Sequence, residues 1–256
     1  MKALILAAGY ATRLYPLTLD KPKPLLKVGS KTITDRLTDN ISRAKEIDHI
    51  YIVTNQKFSS HFEEWARTNP RGIKASVIND RTLANETRLG AIGDMELVVR
   101  ESGIKDDLLV LGGDNLFEFE LGDFVAFGRR KKGAAVAVRD VGDPDEARKY
   151  GIVRVDNDEK VVEFAEKPAE PKSTLAAMCV YYFPKDTLGL LNVYLDKGLN
   201  KDAPGHYISW LSQNYRVYAY RVTGEWFDIG DKRLLELADE IYKRKDGKGV
   251  KNDKGA

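Results

Sequence analysis

Residues 2–26 read KALILAAGYATRLYPLTLDKPKPLL. The apolar run from Ala3 to Ala8 suits a strand buried on both faces, as in a parallel sheet, and Gly9 suits a tight exit from it. The loop after it carries Thr12, Arg13 and Lys23 among Pro16, Pro22 and Pro24. Cations on a glycine-started loop at the end of such a strand are placed to hold phosphates. Two familiar phosphate motifs do not fit. A dinucleotide fingerprint needs three glycines opening into a helix, but Ala11 and Leu14 fill the second and third slots and Pro16 would interrupt the helix. A phosphate-loop NTPase needs Gly-Lys-Ser/Thr entering a helix, and no such triplet comes after Gly9.

Outward from this stretch, apolar residues Ile33, Leu37, Ile41 and Ala44 recur at helical spacing over residues 32–45. A β-branched strand comes next at 49–54, then a polar helix with Phe58, Phe62 and Trp65 on one side. A strand at 75–78, a helix over 86–102 and an apolar strand at 108–111 complete the first half. Strand and helix alternation of this kind predicts an α/β, Rossmann-like three-layer fold with a mixed, mainly parallel sheet. Ligands of such sheets gather beyond the carboxyl ends of the strands, where the Gly9 loop, residues 79–82 and residues 112–115 converge.

The second half reads as a smaller β-rich portion. Strands are expected at 134–138, 151–155, 160–164, 176–183 and 217–222, with a turn at Asp156-Asn157-Asp158. Helices are expected near 185–197 and 207–214, and a final amphipathic helix at 232–243 docks through Leu234, Leu235, Ala238 and Ile241, with Asp231 as its N-cap. Residues 1–244 form the expected domain. The Lys- and Gly-rich residues 245–256 read as a disordered tail.

The chain has 256 residues and a net charge of +2, which suits one large α/β domain and gives no global field for nucleic acid or a membrane. Its single cysteine, Cys179, lies in an apolar run and reads as a buried thiol. With no long apolar span and no leader, the expectation is a soluble protein of the reducing cytoplasm. An apolar strand or helix face on the second half would serve a homo-oligomer. The three histidines, His49, His61 and His206, form no recognisable ligand set.

Two carboxylates stand out. Asp114 ends an apolar strand through Gly112 and Gly113, a placement that suits either a rigidly held ligand group or a turn cap. Asp228 lies in Trp226-Phe227-Asp228-Ile229-Gly230, where a lone instance is more often structural.

The run LAAGYATRLYPLT, with PKPLL shortly after it, resembles the signature loop of the sugar-1-phosphate nucleotidyltransferases, the family that includes the glucose-1-phosphate thymidylyltransferases. The resemblance implies an enzyme that joins an NTP to a sugar-1-phosphate, releasing pyrophosphate by Mg²⁺-dependent in-line attack on the α-phosphorus. It implies that Arg13 grips the leaving pyrophosphate and Lys23 the phosphates at the reaction centre, roles a guanidinium fork and an ammonium suit. Gly-Gly-Asp and Trp-x-Asp-x-Gly resemble the family's metal motifs, making Asp114 and Asp228 the Mg²⁺ ligands. Glu166-Lys167-Pro168 resembles its sugar motif, with Glu166 on sugar hydroxyls and Lys167 on the sugar phosphate, while Asn115, Tyr150 and Gly151 line the same pocket. On the nucleotide side stand Leu6, Ala8, Gly9, Ala11 and Thr12, with Asn79, Thr82 and Asn85 beside the base.

Three positions depart from the family pattern. Ala11 replaces a glycine, and its methyl would crowd the triphosphate or shift the loop. Asn85 stands where the thymidylyltransferases have a base-pairing Gln, with the same amide on a shorter stem. Residues 204–209 replace an acidic segment, which leaves the sugar open. Other readings are a cytidylyltransferase acting on an alditol or choline phosphate and a catalytically silent nucleotide-sugar sensor. A glycosyltransferase would be expected to carry Asp-x-Asp, whereas this strand ends Gly-Gly-Asp-Asn.

Overall fold

The computed structural model describes residues 1–69 and 72–252. The chain opens with β1 (Lys2–Leu6), whose central residues are fully buried, as its unbroken apolar run requires. A short hairpin of β2 (Lys27–Val28) and β3 (Lys31–Thr32) leads into α1 (Ile33–Arg43). Thr32 and Asp35 start that helix with a reciprocal capping box. Next come β4 (His49–Thr54), α2 (Ser59–Thr68), β5 (Lys74–Asn79), α3 (Ala91–Glu101) and β6 (Leu108–Gly112). After them stand β7 (Asn115–Phe117), α4 (Leu121–Lys131), β8 (Ala134–Asp140) and the single turn α5 (Pro144–Ala147). The hairpin β9 (Gly151–Val155) and β10 (Val161–Glu166) precedes β11 (Leu175–Phe183), α6 (Leu190–Asp196) and α7 (Pro204–Asn214). The chain ends in β12 (Val217–Arg221), β13 (Trp226–Asp228) and α8 (Lys232–Asn252).

Among the described residues, nine strands form one mixed sheet in the order β10-β9-β11-β6-β1-β4-β5, with β8 joining β11 to β12. The four strands β6, β1, β4 and β5 run parallel, and β11 returns antiparallel beside β6. The β-rich second half is therefore continuous with the first. Register fixes the site: Leu6 lies level with Val53 on one side and Gly112 on the other, so three strand ends open onto the same edge. The side pair β7 and β13 brings Asp228 opposite Asn115 at that edge.

Three expected elements differ. The helix predicted over 86–102 is split, because Gly90 takes φ 80° and leaves a 3-10 turn at Asn85–Thr87 before α3. The helix α4, absent from the sequence reading, carries Phe124, Val125 and Phe127 into the core. The last helix continues beyond Lys243 to Asn252, through most of the segment expected to be disordered. Asp246 explains part of this: it accepts from Arg36 Nη2 at 2.7 Å and from the backbone and hydroxyl of Ser30 at 2.8 and 2.7 Å. The remainder of the expected tail, 253–256, lies outside the described residues. No helix among the described residues is long and apolar enough to cross a membrane.

Candidate active site

The loop after β1 is held from below by the neighbouring strand end. Asn55 Nδ2 donates to the Ala8 carbonyl at 2.9 Å, and Thr54 Oγ1 donates to that of Ala7 at 3.3 Å. Ala11 sits at φ 48°, ψ 42°, a left-handed conformation that favours glycine, and its carbonyl accepts from Thr18 Oγ1 at 2.8 Å. Backbone shape would favour a glycine at this position, and Ala11 keeps that shape with its methyl in place. On the other flank Gly113 donates to the Leu6 carbonyl at 2.9 Å. A Cβ on Gly113 would lie 2.6 Å from that oxygen and 3.0 Å from Pro24, so only glycine lets β6 deliver Asp114 this close to the loop.

Asp114 meets Lys23 there. Lys23 Nζ donates to Asp114 Oδ2 at 2.5 Å and to the Ile229 carbonyl at 2.9 Å. Behind it a polar chain fixes the carboxylate: Trp226 Nε1 donates to Asn115 Oδ1 at 2.8 Å, and Asn115 Nδ2 donates to Asp114 Oδ1 at 3.0 Å. Burial works against ionisation of Asp114, but the Lys23 ammonium outweighs it and holds the carboxyl below the usual range. Asp228 is left under-compensated. Burial and then the charge of Asp114 push it up to about 7, against the pull of Lys23, Lys167 and Arg13.

Two cavities are lined by residues of this centre. The larger, about 330 Å³, is lined by Leu6, Ala8, Gly9, Ala11, Thr12 and Arg13 of the opening loop, by Lys23 and Asp114, and by Asn85. The smaller, about 130 Å³, is lined by Tyr150, Gly151, Glu166, Lys167, Cys179, Gly205 and Asp228. The Tyr150 ring packs on Trp226 with centroids 4.9 Å apart, and its hydroxyl donates to Glu146 at 3.1 Å. A Cβ on Gly151 would reach within 2.6 Å of Phe164, and one on Gly205 would collide with Glu166 Oε2. Glu166 therefore threads between two glycines. Lys167, at φ 46°, turns sharply at the end of β10.

Three residues expected at the site stand elsewhere. Asn79 donates to Gln56 Oε1 at 2.8 Å and lies outside the larger cavity's lining. Thr82 is buried, with its carbonyl accepting from the Tyr10 hydroxyl at 3.0 Å, so it braces the wall behind. Asn115 is 1% exposed and positions Asp114 without facing the smaller cavity. Cys179 is a correction of another kind: it sits at φ 54° in a bulge of β11 and forms cavity wall, with burial raising its thiol pKa.

The family described as Nucleotidyl transferase matches residues 2–244 by its sequence profile. The chain belongs to this family. It is 30% identical over 235 residues to a protein of Sulfolobus acidocaldarius named as a mannose-1-phosphate guanyltransferase, covering 91% of this chain and 60% of that one. It is 27% identical over 230 residues to the bifunctional protein GlmU of Methanocaldococcus jannaschii, covering 90% and 51%. The chain thus spans about half to three fifths of the length of these relatives. Its fold is that of a solved UDP-glucose pyrophosphorylase complexed with UDP-glucose, with TM-score 0.81, 20% identity and coverage of 95% and 98%. A structure titled as a glucose-1-phosphate thymidylyltransferase from Bacillus anthracis superposes with TM-score 0.79 and 24% identity, covering 95% of each chain.

In this member of the family the donor set suits a hard divalent cation. Asp114 is paired with Lys23, Asp228 has no such partner, and the mutual repulsion of the two carboxylates appears as the raised Asp228. Among the described residues no cluster of three or more His, Cys, Asp or Glu side chains forms, so a metal here would complete its shell with phosphate oxygens and water.

Sequence reasoning passed over Asp94. It is 5% exposed, lines the larger cavity, and its Oδ1 has no hydrogen-bond partner. Burial first, then the charge of Asp80, push it up to about 8. An unsatisfied buried carboxylate oxygen costs at least ~1–3 kcal/mol and calls for an explanation. The available signal was an acid among Ile92, Met95, Leu97 and Val98, the buried apolar positions of α3.

Proposed function

We propose that the protein transfers a nucleoside monophosphate from an NTP to a sugar-1-phosphate and releases pyrophosphate. One observation carries this reading: the nucleotide-sized cavity is walled by Lys23 and Asp114, the Tyr150–Lys167 cavity by Asp228, and these three charged groups interact electrostatically with one another. An acceptor phosphate held by Lys167 on one side and an α-phosphate held by Lys23 on the other would meet there. The acceptor phosphate is already an anion at neutral pH, so no protein nucleophile or base is required. Catalysis then rests on alignment and on neutralising phosphate charge.

In this scheme Arg13 binds the departing pyrophosphate, and Lys23 leaves Asp114 for phosphate oxygens as substrate enters. Asp114 and Asp228 would hold Mg²⁺, which when bound neutralises phosphoryl oxygens and helps align them. The chain Tyr150, Trp226, Asn115, Asp114 links the acceptor wall to the metal carboxylates, so both substrates are positioned from one frame. Glu166 faces acceptor hydroxyls, held between Gly151 and Gly205.

The test is pyrophosphate release across a panel of NTPs and sugar-1-phosphates, with an alditol phosphate and choline phosphate included. Turnover that requires both an NTP and a sugar-1-phosphate supports the proposal. Turnover only with the non-sugar phosphates, or with none, removes it.

A further inference from the structure

A separate cavity of about 520 Å³, within the size range of small-molecule sites, lies on the sheet edge opposite the reactive centre. Register fixes its place: Ala134 pairs with Val217, Ala135 with Tyr182, and Phe183 with Leu108, the first residue of β6. The cavity stands just before β8 and β12, at the edge where β6 starts, whereas Asp114 follows the end of β6.

Three cations line it from separate parts of the chain. Lys132 caps the end of α4, Lys160 leads into β10, and Arg216 leads into β12. Each backbone is fixed by its neighbours. Lys132, at φ 54°, donates its amide to the Arg129 carbonyl at 3.2 Å, Lys160 bridges Tyr218, and the Arg216 carbonyl accepts from the Ala134 amide at 2.9 Å. A Cβ on Gly133 would lie 2.7 Å from that Arg216 oxygen, so a glycine here lets the two cationic turns approach. Among the described residues none of the three cationic side chains has an ion pair or hydrogen bond. The acids nearby are engaged elsewhere: Glu159 with Arg221 at 3.2 Å, Asp186 with the Tyr215 hydroxyl at 2.8 Å, and Asp156 with the Lys160 amide at 3.0 Å. None of the residues lining the cavity is an acid. Helix ends account for Lys132 and Arg216, since the free carbonyls of α4 and α7 favour cations. They do not account for Lys160, which follows the Asp156 turn, and three like charges gathered without an opposing group repel one another.

We infer that this cavity binds a diphosphate group, an assignment independent of the transfer reaction proposed above. A phosphate monoester carries about −1.5 to −2 near pH 7, short of the three cations, and a diphosphate matches them. Arg216 can fork two phosphate oxygens, while Lys132 and Lys160 act as point charges on either side of the chain crossing. The Gln213 amide and the Tyr215 ring line the remaining space, which leaves room for a nucleoside attached to the diphosphate.

Amide NMR of the full chain, titrated with sodium pyrophosphate, inorganic phosphate and uridine 5′-diphosphate, locates binding residue by residue. Pyrophosphate is expected to shift 132–133, 160 and 212–216 as a group distinct from the Gly9 loop. Inorganic phosphate should bind there at least about tenfold more weakly. Uridine 5′-diphosphate binding more tightly than pyrophosphate names a nucleotide as the source of the diphosphate, and the reverse order names the free anion. Lys132→Asn combined with Lys160→Ser keeps a residue suited to the left-handed backbone, and should weaken pyrophosphate at this cavity at least about tenfold while leaving the Gly9-loop response unchanged. Shifts confined to the Gly9 loop overturn the inference and leave the transfer reaction standing, and that comparison needs no variant to fold. No shift at 132–133, 160 and 212–216, phosphate binding as tight as pyrophosphate, or an unchanged affinity in the folded double variant overturns it equally.

Discussion

Lys23 Nζ lies 2.5 Å from Asp114 Oδ2 and 2.9 Å from the carbonyl oxygen of Ile229, joining the opening loop to segments 91 and 206 residues further along. The pair is neither free in solvent nor fully buried, at 14% and 30% side-chain exposure. Lys23→Met is therefore expected to cost about 1–2 kcal/mol in a urea titration, between the limits for exposed and buried pairs. Turnover should fall about 10²-fold or more, as for loss of a charge-stabilising group. Asp114→Asn should stay folded and lose turnover on the same scale; a folded Asp114→Asn protein with full turnover contradicts the metal-site reading.

Gly205 tests the acceptor side separately. Alanine there would drive Glu166 and Phe164 from their places, since a Cβ collides with both. The expected result is a KM for the sugar phosphate raised at least about tenfold, with NTP affinity unchanged. A parallel rise in both would mean that the two cavities do not divide the substrates.

Ala11 separates backbone shape from crowding. In a left-handed conformation a β-branched side chain is strained, so Ala11→Val should destabilise the protein by more than ~1 kcal/mol. Ala11→Gly relieves strain but adds unfolded-state freedom, and its net effect should stay within about 1 kcal/mol. If the methyl group is only tolerated, NTP affinity in Ala11→Gly will match the wild type, and a clear gain would show crowding.

The stability of the chain carries a pH signature from Asp94. Its folded pKa, about 8, exceeds the ordinary carboxylate value of 3.8, so the folded state binds more protons across that interval. The contribution is fully present below about pH 4 and is lost as pH rises through 8. Urea unfolding at pH 5 and pH 8.5 should show a decline in the wild type that is smaller by more than ~1 kcal/mol in Asp94→Asn. Equal slopes would mean that Asp94 is not the group responsible.

Much of this was legible in the sequence because it was local. The apolar run before Gly9 specifies a doubly buried strand, and the register of β1 with β4 and β6 results from parallel pairing. Asp231 as the cap of α8 was equally local, and its Oδ1 accepts from the Leu234 amide at 2.9 Å. What was missed depends on partners far along the chain. Asn115 carries the same amide whether it faces a sugar or ties Trp226 to Asp114, and only the pairing of β7 with β13 decides between them. The sequence of 245–252 is Lys- and Gly-rich, yet Arg36 of α1 and Ser30 of the β2–β3 turn hold Asp246. Asn85 reached the cavity as expected, but alongside Asp94, whose acidity inside an apolar helix face was the signal left unread.

The double attachment of Lys23 also sets a schedule. Lys23 precedes the Ile229 carbonyl by 206 residues, so the glycine-started loop is synthesised well before its partner on the far strand. During translation the loop can pair with Asp114 but not with strand β13, so a nascent chain halted before Trp226 has cations without their full set of opposing groups. The attachment of Lys23 to the Ile229 carbonyl therefore forms only once β13 has been made, together with the Phe227 and Ile229 side chains that join the core.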